Sequence, residues 1–380
     1  MGYDKSIYFM PLGGGQEVGA SCYFLKIGSI SFLLDCGTGR KFHTTYAPAF
    51  LCLEKSCLLH SKTEIGHVFV SHAHMDHIGF LPVLMKELPD AVFYMTETTK
   101  ELARFQLYDK IEERLAARYI FDRIRIVSFM QTFPIEDIKI MIYPAGHIPG
   151  AMMVLFSWKG THVLYTGDYS TGRTALTEGC IVPKNACVDF MIACALHAKN
   201  DSCKKSSYTL DCLLRKAGEL LERGESVLCT VNQISKGIEF LKILNDAVAE
   251  GKIRRFPVYL DESVYTVVRH MENTSVALVK DNIFPFMPKK INTPHIVIST
   301  FKKNLADKYR HLTVDFTLHD GFIETAMFIK KVNPRTAVLV HCASKSEWDS
   351  GMTVEQLLMR DAECRTQFIF AENEQLYCIC

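Results

Sequence analysis

The segment HVFVSHAHMDHIGF, residues 67–80, constrains this chain more than any other. A short apolar run leads into a loop that carries His72, His74, Asp76 and His77, and a helix is predicted to begin near Phe80. Loops held at the ends of strands are where metal-binding and catalytic side chains usually lie. Imidazole and carboxylate ligands suit zinc and similar divalent cations, and the lack of cysteine in this group favours a hydrolytic site over a structural one. We therefore predict a metal site in which two cations could share the loop.

Composition narrows the class of protein. The 380 residues include 43 Lys and Arg against 42 Asp and Glu, so a polyanion would have to be held by local charge. The 14 cysteines are scattered without a CxxC pair, which predicts reduced thiols. Neither a signal peptide nor a membrane-spanning run is visible in the sequence, and we expect a cytoplasmic protein.

The hydrophobic pattern predicts two kinds of structure along the chain. In the first half, short apolar runs such as SCYFLKIG, IKIMIYPAGH and MMVLFSW, bounded by Gly, Pro or Asp, predict strands. Helices are expected at LPVLMKEL and over TTKELARFQLYDKIEERLAARYIF, where Leu102, Phe105, Leu107 and Ile111 recur at helical spacing. From about residue 204, a helix–strand–helix pattern ending at Gly251 predicts a small α/β module with a partly parallel sheet, to which RRFPVYLD and HIVIST add strands. After about residue 312, a helix, the strand TAVLVHC and a last helix follow.

Three residues far along the chain fit the same metal site. His147 in YPAGH and Asp168 in LYTGD each follow a predicted strand and have small neighbours, which leaves space for an ion. His341 ends the predicted strand TAVLVH.

Taken together, these motifs resemble those of the metallo-β-lactamase superfamily. HxHxDH, the later His147, Asp168 and His341, and Asp35 in FLLDCG fit its pattern. More narrowly, PLGGGQEVGASC, LLDCGTG, SHAHMDHIGFLP and YTGDYS resemble the β-CASP nucleases, which include the endonuclease of the cleavage and polyadenylation machinery and bacterial ribonucleases of the J type. The resemblance implies an αββα sandwich with a smaller inserted α/β domain: residues 1–200, an insert at 201–311, and a return at 312–380.

The resemblance also implies a role for each site residue. His72, His74 and His147 would hold one divalent ion and Asp76, His77 and His341 a second, with Asp168 bridging. Asp35 would fix a ligand histidine or the loop. A hydroxide held by both ions would attack phosphorus in RNA, and His319 would protonate the leaving oxygen, so Asp76 and His319 are the candidate catalytic residues. Zinc is the expected metal, with manganese or iron as alternatives.

Two features depart from the family pattern. Cys194 in DFMIACALHA stands where the family has an acidic residue that would orient the His319 imidazole, so His319 is expected to be a weakened acid unless Asp320 or His197 replaces that partner. The insert is short and lacks the SPG-like loop and Gly-rich segment that shape the nucleic-acid cleft in the family. Candidate basic and aromatic contacts to RNA are Lys204, Lys205, Arg254, Arg255, Phe256, Phe286, Lys289, Lys290, Lys302 and Lys303.

The sequence leaves three functional hypotheses open. The first is a metal-dependent phosphodiesterase or ribonuclease. The second is a hydrolase of the same fold for a small substrate such as a nucleotide or a thioester. The third is a non-catalytic relative that binds RNA or a partner, against which the complete ligand set counts. Gly13 to Gly15 are read as a tight turn near the metal site, since GGGQEVG does not match a phosphate-binding loop. The oligomeric state is not predictable from the sequence.

Overall fold

A computed structural model describes most of the chain. The described residues are 6–379 except 42–43, 108–120, 184–186, 199–209, 232–233, 272–277, 279, 287–290, 301–307, 315, 343–351 and 362–363. The chain divides into two compact units. The first consists of residues 1–172, 179–201 and 319–380, and the second of 173–178 and 202–318. Residues 312–318 thus lie in the second unit.

The first unit contains two seven-stranded sheets and a two-stranded ribbon. Its strands are β1 (Ile7–Gly13), β2 (Cys22–Ile27), β3 (Ile30–Leu34), β4 (Gly39–Lys41), β5 (Thr44–Tyr46), β6 (His67–Phe69), β7 (Val92–Met95), β8 (Ile124–Ile126), β9 (Thr132–Ile135), β10 (Ile138–Pro144), β11 (Met152–Trp158), β12 (Thr161–Tyr165) and β13 (Phe190–Cys194). The second unit contributes β14 (Val227–Thr230), β15 (Val258–Leu260), β16 (Ile283–Pro285), β17 (Ile296–Ser299) and β18 (Arg310–Thr313). The chain then returns to the first unit with β19 (Thr336–Val340), β20 (Gln367–Phe370) and β21 (Tyr377–Ile379).

The described helices fall in both units. Those of the first unit are α1 (Leu51–Lys55), α2 (Met75–Ile78), α3 (Leu81–Glu87) and α4 (Glu97–Leu107). The second unit holds α5 (Leu210–Glu222), α6 (Ile234–Ala249) and α7 (Glu262–Met271). The last two, α8 (Phe322–Val332) and α9 (Val354–Leu358), belong to the first unit. Ile111, in the predicted continuation of α4, lies outside the described residues.

The core of the first unit lies between its two large sheets, whose orders are β21-β1-β2-β3-β6-β7-β8 and β20-β19-β13-β12-β11-β10-β9. Apolar side chains from both sheets form one buried cluster, in which the Phe156 ring lies 5.0 Å from that of Phe32 and 5.5 Å from that of Phe69. Strands β6, β7 and β8 are parallel, so α3 and α4 must cross over a face of their sheet. Because the inner face is packed against the other sheet, these helices cover the outer face. This is the α/β sandwich that the sequence predicts.

Parallel strands bring several carboxyl ends to one edge of each sheet. In the first sheet β3 and β6 are parallel, with Leu34 opposite Phe69. In the second sheet β12, β13 and β19 are parallel, with Tyr165 opposite Ile192 and Cys194 opposite Val340. Residues that follow these strands are therefore neighbours in space although they are far apart in sequence.

The second unit has a five-stranded sheet in the order β16-β15-β17-β14-β18, and every pair in it is parallel. The predicted helices before Gly224 and Gly251 are present, and both glycines have positive φ after the helix end. Helix α7 was not predicted, because its β-branched residues resemble a strand. The signals for it were Asp261, whose side chain accepts the Val264 amide at 2.8 Å, and the helical spacing of the buried Val264, Val267 and Met271.

One predicted turn is longer than expected. Gly13 ends β1, and residues 14–21 form a loop before β2, so the glycines do not make a tight turn between strands. The loop passes beside the predicted metal site, where the Gly14 carbonyl accepts the His341 amide at 2.6 Å. Gly14 has a φ of +72°, and an added Cβ would lie 2.6 Å from the Tyr23 hydroxyl, so a side chain is excluded here. Among the helices described, none combines the length and the apolar character needed to cross a membrane.

Candidate metal centre

The seven predicted ligands lie together in the first unit, on the segments that follow four of its strands. Beyond β6, the connecting segment carries His72 and His74, and Asp76 and His77 lie in the short helix α2 that follows. The other three, His147, Asp168 and His341, follow β10, β12 and β19. Six of the seven are buried, whereas the Asp76 side chain is 33% exposed and marks the side open to solvent.

His72, His74 and His147 form a three-histidine group. His74 Nδ1 lies 3.1 Å from His72 Nε2 and 3.1 Å from His147 Nε2, and Asp168 Oδ2 lies 3.8 Å from both Nε2 atoms. Three nitrogens bound tetrahedrally to zinc at about 2.0–2.1 Å would stand roughly 3.3–3.4 Å apart. The observed spacing is within a few tenths of an ångström of that value, so this group fits a divalent cation.

Asp76, His77 and His341 form a mixed group on the other side of Asp168. Asp76 Oδ2 lies 3.8 Å from His77 Nε2 and 3.6 Å from His341 Nε2, and Asp168 Oδ2 lies 3.5 Å from His77 Nε2. The three potential ligand atoms are within 4.8 Å of one another. This group also fits a cation.

Asp168 is the carboxylate common to both groups. Its Oδ1 atom is buried and has no hydrogen-bond partner among the described residues, although His341 Nδ1 approaches to 3.2 Å without hydrogen-bonding geometry. A buried carboxylate oxygen left without a partner is costly. A cation would satisfy it, which supports the same fit from an independent observation.

Asp35 anchors both groups from behind. It is fully buried and accepts hydrogen bonds from the Ser71 amide and hydroxyl, each at 2.6 Å, from the Tyr165 hydroxyl, and from His77 Nδ1 at 2.7 Å. Because a carboxylate only accepts, His77 carries a hydrogen on Nδ1, so Nε2 is the atom that can bind a cation once the ring is neutral. Asp35 has a φ of +60°, a strained conformation that this network holds in place.

A second hydrogen-bond chain orients His72. The single hydroxyl hydrogen of Ser71 is given to Asp35, so Ser71 Oγ can only accept from His72 Nδ1, which lies 3.0 Å away. His72 therefore presents an unprotonated Nε2 to the other two histidines of its group. Both groups thus have at least one imidazole whose tautomer is set by Asp35.

The two groups differ in how readily they accept protons. Burial lowers the pKa of His72 far below its ordinary value, with the nearby His77 and His74 adding to the effect. Burial and then His147 lower the pKa of His74 to about 3. These imidazoles are therefore neutral at pH 7.

In the mixed group the carboxylates reverse this direction. Burial opposes protonation of His77, but Asp168, Asp35 and Asp76 together raise its pKa well above the ordinary value. Against the same burial, Asp168 and Asp76 raise the pKa of His341. For Asp168, burial is outweighed by His341, His77 and His319, which hold its pKa well below the usual range. Without a metal, protons on His77 and His341 supply the positive charge that these carboxylates require.

His319 lies at the edge of the centre, just before α8. Its Nε2 is 3.8 Å from Asp168 Oδ2, its ring centroid is 4.4 Å from that of His147, and its side chain is 21% exposed. Burial and His147 lower its pKa well below the ordinary value. It is the predicted proton donor, and it is near enough to the ligands to reach a substrate bound there.

The residues proposed to assist His319 have different surroundings. The Cys194 thiol lies with Asp168 and His341 in a group whose potential ligand atoms are within 4.8 Å of one another. Asp320 accepts the Thr171 amide at 2.8 Å, burial raises its pKa, and its Oδ2 has no hydrogen-bond partner within the described part of the chain. His197 is half-buried in the turn after β13. Assistance from Asp320 or His197 stays a prediction.

Few of the predicted basic contacts can be located. Lys204, Lys205, Lys289, Lys290, Lys302 and Lys303 lie outside the described residues. In the second unit Arg254 lies over the Phe256 ring, Arg255 is paired with Asp281, and Phe286 is half-buried. The ion pair leaves Arg255 less available to a phosphate than the sequence suggests.

One family model and several known proteins are similar to this chain in sequence. The family model described as the metallo-beta-lactamase superfamily matches residues 15–184. The chain is 29% identical over 289 residues to "Probable RNase MJ4" of Methanocaldococcus jannaschii, covering 70% of this chain and 64% of that protein. It is 26% identical over 297 residues to "Endoribonuclease ysh-1" of Neurospora crassa, covering 73% of this chain and 34% of that protein. The chain thus spans less than two thirds of the length of either relative.

A solved structure shares the fold. The crystal structure of a protein of unknown function from Enterococcus faecalis V583 superposes with a TM-score of 0.65 over 98% of this chain and 100% of that chain, at 12% identity. At that identity the likeness concerns the fold alone.

Proposed function

We propose that this chain, which belongs to the metallo-β-lactamase superfamily and its β-CASP group, is a metal-dependent hydrolase that cleaves phosphodiester bonds in RNA. The observation that carries the proposal is the convergence of seven His and Asp ligands in two groups around the buried, unsatisfied Asp168. The names of the relatives, a probable RNase and an endoribonuclease, support RNA as the substrate.

The ligand roles follow the two groups. We assign one ion to His72, His74 and His147 and one to Asp76, His77 and His341, with Asp168 shared. Zinc is the proposed ion because the ligands are mainly imidazoles, with manganese or iron as alternatives. When bound, such ions lower the pKa of a water molecule and neutralise charge on the phosphate oxygens. A cytoplasmic location remains a prediction.

The protein's own side chains supply the proton for the leaving oxygen. His319 is the one partly exposed imidazole at this centre, so a phosphodiester approaching from solvent would meet it. In the free protein its pKa is depressed, and a nearby phosphate would raise that pKa because negative charge favours the imidazolium form. His319 would thus become a proton donor when RNA is bound. Asp35 holds His77 and, through Ser71, His72 in orientation throughout.

The first test is cleavage of an end-labelled single-stranded RNA by the metal-loaded protein beside Asp168→Asn. Removal of the shared carboxylate should reduce cleavage by at least about a hundredfold to a thousandfold, comparable to the loss of one stabilising group in other hydrolases. The product ladder separates internal cleavage from cleavage at an end. Metal-loaded wild-type protein that leaves RNA chains intact while hydrolysing a nucleotide would favour the small-substrate hypothesis. Absence of hydrolysis of either would favour a binding role.

His319→Asn isolates the proton-donating step from metal binding. We expect full metal content, because His319 is not in either ligand group, and a loss of cleavage of about 10²–10⁴-fold, the range typical of general acids. The loss should shrink on a substrate whose leaving group is an activated phenol, since that leaving group needs no proton. An equal loss on both substrates would contradict the role of His319 as acid.

A further inference from the structure

The Cys194 thiol lies inside the metal centre rather than beside it. The thiol forms a group with Asp168 and His341 at the ends of three neighbouring parallel strands of the second sheet. Asp168 follows β12, Cys194 ends β13 and His341 follows β19. The Cys194 amide is fixed by the Thr166 hydroxyl at 3.0 Å, and the next amide, that of Ala195, donates to the Val340 carbonyl at 2.9 Å. These bonds fix the backbone at Cys194, and 6% of the residue is exposed.

The distances allow a shared ion. Two ligands bound tetrahedrally to zinc at about 2.0–2.3 Å stand roughly 3.3–3.6 Å apart. The Cys194 sulfur, a carboxylate oxygen of Asp168 and a ring nitrogen of His341 all lie within 4.8 Å of one another, so closure by about 1 Å would bring all three onto one ion. In addition, the buried Asp168 Oδ1 has no hydrogen-bond partner in the described residues, an independent sign that a cation belongs there.

His341 is common to this group and the mixed group, so the two groups describe alternative positions for one ion beside Asp168. Its Nε2 faces Asp76 at 3.6 Å, whereas its Nδ1 faces Asp168 Oδ1 at 3.2 Å. The imidazole thus stands between Asp76 on one side and the Asp168 carboxylate, near the thiol, on the other. His341 has a φ of +55°, a strained backbone conformation for a residue other than glycine, and this conformation positions the ring between the two carboxylates.

We propose that Cys194 is a metal ligand, and that its thiolate binds the ion held by Asp168 and His341. On binding, the thiol gives its proton to solvent as the sulfur–metal bond forms, and nothing is oxidised. A thiolate is a softer ligand than the carboxylate that the sequence pattern leads one to expect at this position. The centre would therefore favour zinc over manganese. The inference rests on the metal centre of the proposed function and adds a ligand to it.

The test uses cobalt(II) in place of zinc, because a sulfur–cobalt bond gives a charge-transfer band in the near ultraviolet that histidine and aspartate do not give. Wild-type protein, loaded under a phosphine reductant, should show the band. Cys194→Ser is close in size to the wild-type residue but lacks the sulfur, so the band should vanish and one of two zinc equivalents should be held at least about tenfold more weakly. Cys194→Asp should regain that affinity without the band and shift the preference toward manganese.

Cys229→Ser is the matched control, since Cys229 is a buried thiol in a strand of the second unit. It should keep both the band and the metal affinity. Two bound cobalt ions without a sulfur band, or a band that survives in Cys194→Ser, would overturn the thiolate ligand and leave the proposed function standing. A wild-type protein that binds neither zinc nor cobalt would overturn both.

Discussion

The two ligand groups of the centre share Asp168, yet the protein prepares them for a cation in different ways. In the three-histidine group, burial keeps His72 and His74 neutral, and His72 Nε2 lies 3.1 Å from His74 Nδ1. In the mixed group, carboxylates keep His77 and His341 protonated until a metal replaces the protons. The three-histidine group can thus bind a cation without releasing protons. In the mixed group, the cation must replace protons on the histidines. The comparison indicates that the burial and charge around each histidine, and not the ligand type alone, determine the free energy needed to deprotonate the ligands when a metal binds.

The largest expected effects come from removing one ligand of each group. His147→Asn should release the ion of the three-histidine group and His77→Asn that of the mixed group, and each should reduce RNA cleavage by at least about a hundredfold. Metal content measured by mass spectrometry should fall by one equivalent in each variant. Loss of both ions from either variant would show that the groups do not bind independently.

How far the sequence predicts this centre depends on the kind of information each residue carries. HxHxDH after an apolar strand predicts a metal site by itself, because four potential ligands within six positions are rarely found together otherwise. The prediction of the other three residues depended on locating the ends of strands, and the sheet topology brings them to the same place. They are His147, Asp168 and His341. The division of these residues into two groups that share Asp168 came from the resemblance to the metallo-β-lactamase superfamily.

Other features were beyond the sequence for physical reasons. The neighbours of Cys194 depend on the register of three parallel strands, which no local pattern specifies. Ser71 gives no signal in sequence, yet it links Asp35 to His72. Helix α7 was missed because its valines have strand propensity, and tertiary packing overrides that propensity. Strands β20 and β21 were missed because each is short and is fixed by pairing with a distant strand, β19 and β1 respectively.

Asp35 and Ser71 offer a finer comparison of the groups. Asp35→Asn places an amide where His77 Nδ1 and Ser71 both need an acceptor, so both ions should be held about 10–100-fold more weakly. Ser71→Ala removes the link to His72 and one hydrogen bond to Asp35 but leaves the bond between Asp35 and His77, so it should weaken the three-histidine group more than the mixed group. Zinc titrations against a competing chelator resolve the two affinities. Equal weakening of both ions by Ser71→Ala would contradict the separate anchoring.

The number of protons released on zinc binding should differ between the two groups. At pH 7 the raised pKa values of His77 and His341 mean that zinc must displace protons from the mixed group, whereas the three-histidine group has none to give. Calorimetric titration in two buffers of different ionisation enthalpy measures the protons released. His77→Asn should release fewer protons than wild-type protein, and His74→Asn should release as many.

The smallest effect is the pH dependence of the metal-free fold. The folded pKa of His74 is about 3, below its ordinary value of 6.5, so the unfolded chain binds a proton that the folded chain excludes. Stability should therefore fall as pH drops below about 6.5, by up to about 1.4 kcal/mol per pH unit for each such histidine. For His77 and His341 the sign is opposite: their contribution is complete below about pH 6.5 and is lost as pH rises through the raised folded values. The free energy of unfolding can be measured by urea denaturation with chelator present, at several values between pH 4.5 and 9. His74→Asn should reduce the dependence of this free energy on pH on the acid side, and His77→Asn should reduce it on the alkaline side. The exposed His60→Gln serves as control and should follow wild-type protein, and an acid slope unchanged in His74→Asn would show that His74 is not held neutral by burial.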